Sequence, residues 1–240
     1  MKNIFALPTL FLIAFTISSF GQPYAIGTTT QTFVDGTRNN RSVGCSIFYP
    51  ATVAGTNTPF VNATFPVIAF GHGFVMTVDA YQNIVDLLVP QGYIIALPTT
   101  EGGFSPSHLN FGQDLAFVIM QLKLAHSQNN SMFFQHIAPK AGVMGHSMGG
   151  GCAHIAATLT SEINALCTLA PAETNPSAIS ASQNIAIPSL IIAGANDCIT
   201  PVNTNQLPMY NAISNSNCKS LVAITGASHC QMANANFNCT

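Results

Sequence analysis

The sequence predicts an α/β protein with a mostly parallel central sheet. Short apolar strands alternate with helices along most of the chain, an order typical of a parallel sheet with helices on both faces. Two strands joined by a tight bend precede this alternation, which indicates an antiparallel edge at the N-terminal side. The 240 residues are 48% hydrophobic and only 6% charged, which suits the core of one large domain.

The strands are predicted from short apolar runs that end at glycine, proline or polar residues. The two leading strands flank Asp35 and Gly36 in the segment TQTFVDGTRNNRSVGCSIFYP. The later strands are FPVIAF (65–70), GYIIALP (92–98), AGVMG (141–145), INALCTLAP (163–171), IPSLIIAGAND (187–197) and CKSLVAITGASH (218–229).

The helices are predicted where apolar residues recur every three or four positions. A Ser/Ala/Asn-rich segment with no assigned element separates the strands at 163–171 and 187–197. The predicted helices are DAYQNIVDLLVPQG (79–92), NFGQDLAFVIMQLKLAHSQ (110–128), MGGGCAHIAATLT (148–160) and NTNQLPMYNAIS (203–214).

Residues 1–21 have the order of a secretory signal peptide. A single lysine precedes a long apolar run, and small residues follow at Ser18, Ser19 and Gly21. An uncleaved membrane anchor is the alternative, and Pro8 and the short polar flank argue against it. We therefore expect cleavage after Gly21, a secreted domain over 22–240, and no stable membrane insertion, because no later stretch is long and apolar enough to span a bilayer.

Charge and cysteine spacing exclude several classes of partner. The formal net charge of −2 offers no basic surface for nucleic acid. The chain lacks both C-x-x-C pairs and close Cys/His sets, so we expect neither a metal nor another cofactor. We expect a monomer that acts on a small or polymeric substrate.

Seven cysteines in an exported chain predict disulfides and leave at least one thiol unpaired. Four of them crowd the C-terminal third, where we expect the pairs Cys198–Cys218 and Cys230–Cys239, although four cysteines allow three pairings. The other three lie in apolar segments and are predicted to be buried thiols: Cys45, Cys152 and Cys167.

The segment Gly145-His146-Ser147-Met148-Gly149 fits G-x-S-x-G, the nucleophile elbow. The motif needs a strand before the serine and a helix after it, and the flanking segments predict both. The pentapeptide alone is weak, because a Gly-rich loop matches it by chance. Its context favours Ser147 as a nucleophile.

A serine hydroxyl needs a base, and the base needs an orienting carboxylate. In chains with this elbow the order is serine, acid, histidine. Asp197 and His229 fit this order and follow the ends of predicted strands, whereas His154 lies on the helix after the serine and is interpreted as a packing residue. Asp197 also resembles a helix cap, and that alternative stays open.

An oxyanion hole requires two backbone amides. One is expected from Met148, the residue after the nucleophile, and the other from Phe74, in the loop Gly71-His72-Gly73-Phe74 after an earlier strand. His72 is interpreted as a turn residue that bonds nearby backbone. His146 is interpreted as a pocket-wall or packing residue.

With these segments the chain resembles a secreted α/β-hydrolase of the dienelactone-hydrolase-like superfamily. It is especially similar to the bacterial cutinases and polyester hydrolases, and chlorophyllase-like and platelet-activating-factor-acetylhydrolase-like esterases share the framework. The segments that carry the likeness, together with the strands between them, cover most of residues 40–230: GHGF, GVMGHSMGGG, IIAGANDCITPVNTNQLPMYNAIS and ITGASH.

The resemblance implies an α/β-hydrolase fold, the triad Ser147, Asp197 and His229, and the oxyanion donors Met148 and Phe74. It also implies that the Phe74 ring and the Met148 side chain flank the acyl group, and we add His146 to this substrate-binding set. Two features depart from the family. The chain has no tryptophan, which puts an aromatic clamp in doubt, and the terminal helix expected after His229 is missing, which suggests a C-terminal truncation.

The sequence thus predicts hydrolysis of carboxylic esters through an acyl-enzyme, in the manner of a cutinase or polyester hydrolase. A lipase, a chlorophyllase-like or an acetylhydrolase-type esterase is the alternative, and the same triad also serves peptidases and acyltransferases. A non-catalytic binding protein on a hydrolase fold is the alternative of another class.

Overall fold

The structure is a computed structural model that describes residues 23–234. One mixed sheet of nine strands runs through this part of the chain in the order β3-β1-β2-β5-β4-β6-β7-β8-β9. The strands are β1 Ala25–Asp35, β2 Arg41–Ala51, β3 Gly55–Thr56, β4 Phe65–Gly71, β5 Ile94–Pro98, β6 Ile137–His146, β7 Ala165–Leu169, β8 Ser189–Gly194 and β9 Lys219–Ile224.

The direction of the strands confirms the predicted fold class. β1 pairs antiparallel with β2, and β2 pairs antiparallel with β5. From β5 to β9 all neighbouring strands are parallel. The antiparallel edge is therefore N-terminal, and the carboxyl ends of β4, β6, β8 and β9 meet at one edge of the sheet. Ligands of open α/β sheets bind at this edge.

Helices cover both faces of the sheet. The helices are α1 Gln82–Leu88, α2 His108–Ala125, α3 Met148–Ala156, α4 Ala178–Ser182 and α5 Gln206–Ala212. Residues of α2, α3, α4 and α5 belong to one buried cluster with one face of the strands, and Val85 of α1 belongs to a second cluster with the other face. The two faces are separated within β4, where Val67 joins the first cluster and Ile68 the second.

Three elements differ from the sequence prediction. The helix expected over 79–92 is α-helical only at Gln82–Leu88 and has a 3-10 turn at each end, Val78–Tyr81 and Val89–Gln91. Pro90 and Gly92 interrupt it at the second of these turns. Helix α4 lies in the segment to which no element was assigned, and its N-cap is Ser177, whose hydroxyl accepts from the Ser180 N–H. The two-residue strand β3 was not predicted either.

The expected pair Cys198–Cys218 is wrong, because both thiols are free and exposed. The prediction of buried thiols is confirmed for Cys45 and Cys152, and Cys167 is partly buried. Cys230 is disulfide-bonded. Its predicted partner, Cys239, and the predicted signal peptide lie outside the described residues, so that pair and the leader stay predictions.

No helix within residues 23–234 combines the length and the apolar character that crossing a bilayer requires.

Candidate active site

Ser147 lies on a sharp turn between β6, which ends at His146, and α3, which begins at Met148. Its φ of 55° and ψ of −122° fall outside the regions that L-residues ordinarily adopt. Such a strained strand-to-helix turn is the geometry that the G-x-S-x-G motif predicts. It presents the serine side chain at the carboxyl edge of the sheet.

Glycines let the strand and the helix approach closely enough to form this turn. A methyl group at Gly149 would overlap the main chain of Gly71 at the end of β4. A methyl group at Gly145 would overlap the main chain of Gly149. Only hydrogen atoms fit at these two positions, so the motif glycines are required by packing rather than by their own dihedral angles.

The structure brings Ser147, His229 and Asp197 together in one chain of hydrogen bonds. Nε2 of His229 lies 2.8 Å from Oγ of Ser147, and Nδ1 lies 2.7 Å from Oδ2 of Asp197. All three residues are buried. Because a carboxylate only accepts, Nδ1 carries the ring proton and the lone pair of Nε2 faces the serine hydroxyl.

The contacts of Asp197 match those expected of a partner for His229 and not those of a helix cap. Oδ2 contacts His229, while Oδ1 accepts from the N–H groups of Ile199 and Thr200 at 2.9 and 2.8 Å. The second pair of bonds caps a turn and not a helix, since α5 begins only at Gln206. The turn thus fixes the direction of the carboxylate toward the histidine.

Burial acts to raise the pKa of Asp197, but hydrogen bonds from the Thr200 backbone and the His229 ring outweigh it. The pKa of Asp197 therefore lies below the ordinary value of 3.8. The carboxylate is ionised at neutral pH, as an orienting group for a histidine must be.

Thr200 and Gln206 complete the surroundings of the acid, and sequence reasoning missed both. The Thr200 hydroxyl donates to Oδ2 of Asp197 at 2.8 Å and lies 3.1 Å from Nδ1 of His229. The Gln206 amide donates to this hydroxyl at 3.2 Å and to the Pro171 carbonyl at 2.7 Å. A threonine three residues after a turn-forming aspartate was the available signal for Thr200.

The two predicted oxyanion donors lie at the start of a helix and in a turn. Met148 is the first residue of α3, and the first amides of a helix have no partner within it. Phe74 lies in a turn that the Met76 N–H closes on the Gly73 carbonyl at 3.1 Å. Val75 in this turn has a φ of 54°, which a β-branched residue rarely adopts. Strained turns of this kind concentrate at functional sites.

His72 holds the Phe74 turn through its ring, which matches its interpretation as a turn residue. Nδ1 lies 2.9 Å from the Gly73 carbonyl and Nε2 lies 2.9 Å from the Thr100 carbonyl. Because both partners only accept, a neutral ring donates to one of the two carbonyls, and the ring lies between the loop after β4 and the loop after β5.

The three residues of the predicted substrate-binding set differ in exposure. The Phe74 side chain is 48% exposed, whereas Met148 is buried and His146 is fully buried. Both ring nitrogens of His146 contact protein atoms, so its place corresponds to the packing alternative and not to a pocket wall. Among the three, only Phe74 presents a large surface to a ligand.

A second exposed ring lies beside Phe74. Phe104 is 83% exposed, and its ring centroid lies 6.4 Å from that of Phe74 in an edge-to-face arrangement. The Phe104 loop is anchored by Glu101, whose side chain pairs with Arg41 at 2.7 Å and accepts from the Ser107 N–H. Glu101 therefore has a structural role, and the two rings form an apolar edge beside the turn that contains Phe74, which we call the oxyanion turn after its predicted role.

Two buried histidines predict a loss of stability in acid. Burial, and for His146 also the nearby His229, lowers the pKa of His146 to about 4 and that of His154 to about 3. Both rings are neutral in the folded chain, while the unfolded chain binds protons near pH 6.5. Stability is therefore complete above pH 6.5 and falls as the pH drops toward 4, by about 1 kcal/mol per pH unit for each histidine.

Urea unfolding at pH 4.5, 5.5, 6.5 and 7.5 measures this slope, and His154→Asn is the matched variant. The asparagine amide replaces the donor that Nδ1 provides to the Ser182 hydroxyl at 2.8 Å. We expect the variant to reduce the slope between pH 4.5 and 6.5 by about 1 kcal/mol per pH unit. A flat profile in the unmodified protein would contradict the prediction.

The described residues contain no group of three or more histidine, cysteine, aspartate or glutamate side chains arranged to hold a metal ion. The side chains that meet at the carboxyl edge are a serine hydroxyl, a histidine ring and an aspartate carboxylate.

Comparisons with known proteins identify related ester hydrolases. Residues 16–240 match a protein family described as PET hydrolase-like. The chain is 28% identical to "Cutinase est1" of Thermobifida alba over 187 residues, which cover 78% of this chain and 57% of that protein. It is 26% identical to "Cutinase" of Thermobifida fusca (strain YX) over 186 residues, with 78% and 56% covered.

The chain is also 24% identical to "Bis(hydroxyethyl) terephthalate hydrolase" of Streptomyces coelicolor over 218 residues, which cover 89% of this chain and 63% of that protein. The matched regions thus span about three fifths of the length of these curated relatives.

Proposed function

From the premise that this chain belongs to the PET hydrolase-like family, we propose that it is a serine hydrolase that cleaves carboxylic esters through an acyl-enzyme. The catalytic residues of this proposal are Ser147, His229 and Asp197, and the oxyanion donors are the amides of Met148 and Phe74. The observation that carries it is the chain of two hydrogen bonds, 2.8 and 2.7 Å long, from the Ser147 hydroxyl through His229 to Asp197.

In the acylation step Oγ of Ser147 attacks the ester carbonyl while Nε2 of His229 takes the hydroxyl proton. The carbonyl oxygen gains the negative charge, which the two backbone amides stabilise. Asp197 holds the ring so that Nδ1 keeps its proton and the imidazolium forms next to a carboxylate. When the tetrahedral intermediate collapses, His229 returns the proton to the leaving alcohol.

In the deacylation step a water molecule replaces the alcohol. His229 takes a proton from the water, whose oxygen attacks the acyl carbon and forms a second tetrahedral intermediate. Its collapse releases the carboxylic acid, and the proton on His229 returns to Oγ of Ser147. This sequence needs only the groups named above and the ester.

A fluorophosphonate probe tests the proposal directly, because it phosphonylates a serine only where a base activates the hydroxyl. We expect stoichiometric labelling of the full chain and an adduct on the peptide that contains Ser147, with no labelling of unfolded protein or of Ser147→Ala. A folded protein that stays unlabelled would favour the alternative of a non-catalytic binding protein.

The relatives' names suggest the substrate class. Two are named cutinases and one is named for bis(hydroxyethyl) terephthalate. We propose that this chain hydrolyses esters with an uncharged, apolar acyl group, including oligomers of aromatic polyesters. A panel of p-nitrophenyl esters from acetate to palmitate, together with a soluble terephthalate oligomer, measures the preference.

Phe104 is expected to set the affinity for large acyl groups. Its exposed ring lies beside Phe74, so a bulky acyl group that reaches past the oxyanion turn covers apolar surface of both rings. Phe104→Ala removes part of this surface, worth about 1 kcal/mol at 25 cal/mol per Å². We expect KM for the terephthalate oligomer to rise about fivefold, while the kinetics with p-nitrophenyl acetate stay unchanged.

Leu124→Ala is the matched control, since Leu124 is 57% exposed on α2 and its truncation removes apolar surface elsewhere. It should leave KM unchanged for both substrates. An equal loss for acetate and oligomer in Phe104→Ala would instead indicate a disturbed oxyanion turn.

Export belongs to the proposal as well. The signal-peptide prediction implies that the mature protein begins at Gln22, which N-terminal sequencing of protein secreted from an expression host would test.

A further inference from the structure

Two buried side chains behind the elbow take no part in the proposed mechanism. They connect the turn that contains Phe74 to the main chain of His229. Tyr81 and His146 are both fully buried, and the Tyr81 hydroxyl lies 3.0 Å from Nδ1 of His146. At one end of this pair the Gly73 N–H donates to the Tyr81 hydroxyl at 2.7 Å. At the other end Nε2 of His146 lies 3.0 Å from the main-chain carbonyl of His229.

The direction of each hydrogen bond follows from the partners. A carbonyl oxygen only accepts, so Nε2 of His146 carries the proton toward His229. The pKa of His146, lowered to about 4 by burial and by the nearby His229, keeps the ring neutral, so Nδ1 has a lone pair. The Tyr81 hydroxyl donates its single proton to that lone pair, although Sδ of Met76 lies 3.1 Å away. The Tyr81 oxygen remains as the acceptor for the Gly73 N–H.

The Gly73 end of this connection belongs to the predicted oxyanion hole. The peptide group between Gly73 and Phe74 carries the Phe74 N–H, and its carbonyl accepts from the Met76 N–H and lies 2.9 Å from Nδ1 of His72. The other face of Gly73 contacts Met76 and Tyr81, because an added methyl group would overlap Sδ of Met76 and would lie 3.2 Å from the Tyr81 hydroxyl. The position of the Phe74 donor therefore depends on where the Tyr81 hydroxyl lies.

We propose that Tyr81 and His146 are positioning residues that hold the oxyanion turn and the main chain of the catalytic base at a fixed separation. The inference rests on the proposed function, because it gives these residues a role in the same reaction. Ser147 directly follows His146, so one unbroken series of bonds links the Phe74 turn, the elbow and His229. Displacements of about 1 Å at such groups are known to cost about 100-fold in rate.

The role of Tyr81 makes a kinetic prediction that a packing role does not. Tyr81→Phe keeps the ring and removes only the hydroxyl, which leaves the Gly73 N–H and Nδ1 of His146 unpaired. Since the oxyanion contact forms in the transition state, kcat for p-nitrophenyl acetate should fall about 10- to 100-fold with KM within about twofold. The rate of fluorophosphonate labelling should fall in parallel.

Tyr49→Phe is the matched control. Tyr49 is also fully buried, and its hydroxyl donates to the Thr58 carbonyl at 2.7 Å, away from the carboxyl edge of the sheet. This variant should lower the melting temperature as a lost buried hydrogen bond does, and it should leave kcat unchanged. An equal loss of kcat in both variants would reduce Tyr81 to a general packing residue and overturn the proposal.

Variants of His146 test the same connection independently. His146→Gln retains one donor and one acceptor, so its kcat should stay within about threefold of the unmodified protein, whereas His146→Leu should resemble Tyr81→Phe. The double variant Tyr81→Phe/His146→Leu should be no slower than the slower single variant, because the two residues act as one unit. If Tyr81→Phe does not fold, the two His146 variants decide the question.

The outcomes separate this proposal from the proposed function. An unmodified protein that neither labels nor turns over esters contradicts the function itself. An active protein in which Tyr81→Phe and His146→Leu keep kcat within twofold, or lose it independently of one another, overturns the positioning role alone.

Discussion

Replacement of Ser147 by alanine is expected to lower kcat for ester hydrolysis by about 10⁶-fold, the size of effect seen when a serine hydrolase loses its nucleophile. No acyl-enzyme can form without Oγ, and the remaining oxyanion donors only assist attack by water. The substitution leaves the backbone turn intact, because alanine at φ 55° is no more strained than serine. Steady-state kinetics with p-nitrophenyl acetate measure the loss.

The loss must occur in a folded protein. We expect the melting temperature of Ser147→Ala to lie within a few degrees of the unmodified protein, since only one hydroxyl at the end of a hydrogen-bond chain is removed. Ser127→Ala changes an exposed serine beyond α2 and controls for the effects of expression and purification. It should keep full activity. More than 1% residual activity in Ser147→Ala would place the nucleophile elsewhere.

Asp197→Asn is expected to lower kcat by about 10⁴-fold while the fold is kept. The amide oxygen of asparagine can still accept from the Ile199 and Thr200 N–H groups. Its NH₂ group then faces Nδ1 of His229, which must become an acceptor. The ring proton moves to Nε2 and points at Ser147, so the base can no longer take the hydroxyl proton.

Asp86→Asn controls for the change of charge, since it removes one carboxylate from the exposed surface of α1 and should leave kcat unchanged. Activity and labelling rate of Asp197→Asn are to be compared between pH 6 and 9. Retention of more than a tenth of kcat would show that Asp197 only caps its turn.

Most of the sheet was predictable because its central strands are largely buried and read as continuous apolar runs, and β9, although mostly exposed, also contains such a run. The strand at 65–70 is observed as β4, and the runs after it become the parallel strands β5 to β9. Helix α4 was not predicted because a five-residue helix has too few positions to show a period. The only helix signal in this region is the capping residue Ser177, which directly precedes the helical segment AISAS.

The candidate site was predictable where the motif fixes chain order. Ser147, Asp197 and His229 were chosen by order and by their places after strands, and the structure brings their side chains within hydrogen-bond distance. Contacts between distant segments could not be read in this way. Nothing in the sequence around Tyr81 indicates that its hydroxyl meets His146, because that contact depends on how the loop after β4 folds back.

The predicted disulfide between Cys198 and Cys218 was wrong for the same reason. Cys198 and Cys218 lie close to the ends of consecutive strands in the chain, but both thiols remain free. A disulfide needs the two Cα atoms within about 7 Å, a condition that spacing along the chain does not determine.

The two buried histidines also make the stability of the protein depend on the acid that its proposed reaction releases. Every ester that this protein is proposed to cleave releases a carboxylic acid, which ionises near neutral pH and acidifies a weakly buffered medium. As the pH falls below 6.5, protonation of His146 and His154 favours the unfolded chain. Acid release in a weakly buffered medium therefore lowers the stability of the folded protein, so the buffer capacity of the medium affects how long the protein stays folded during a reaction.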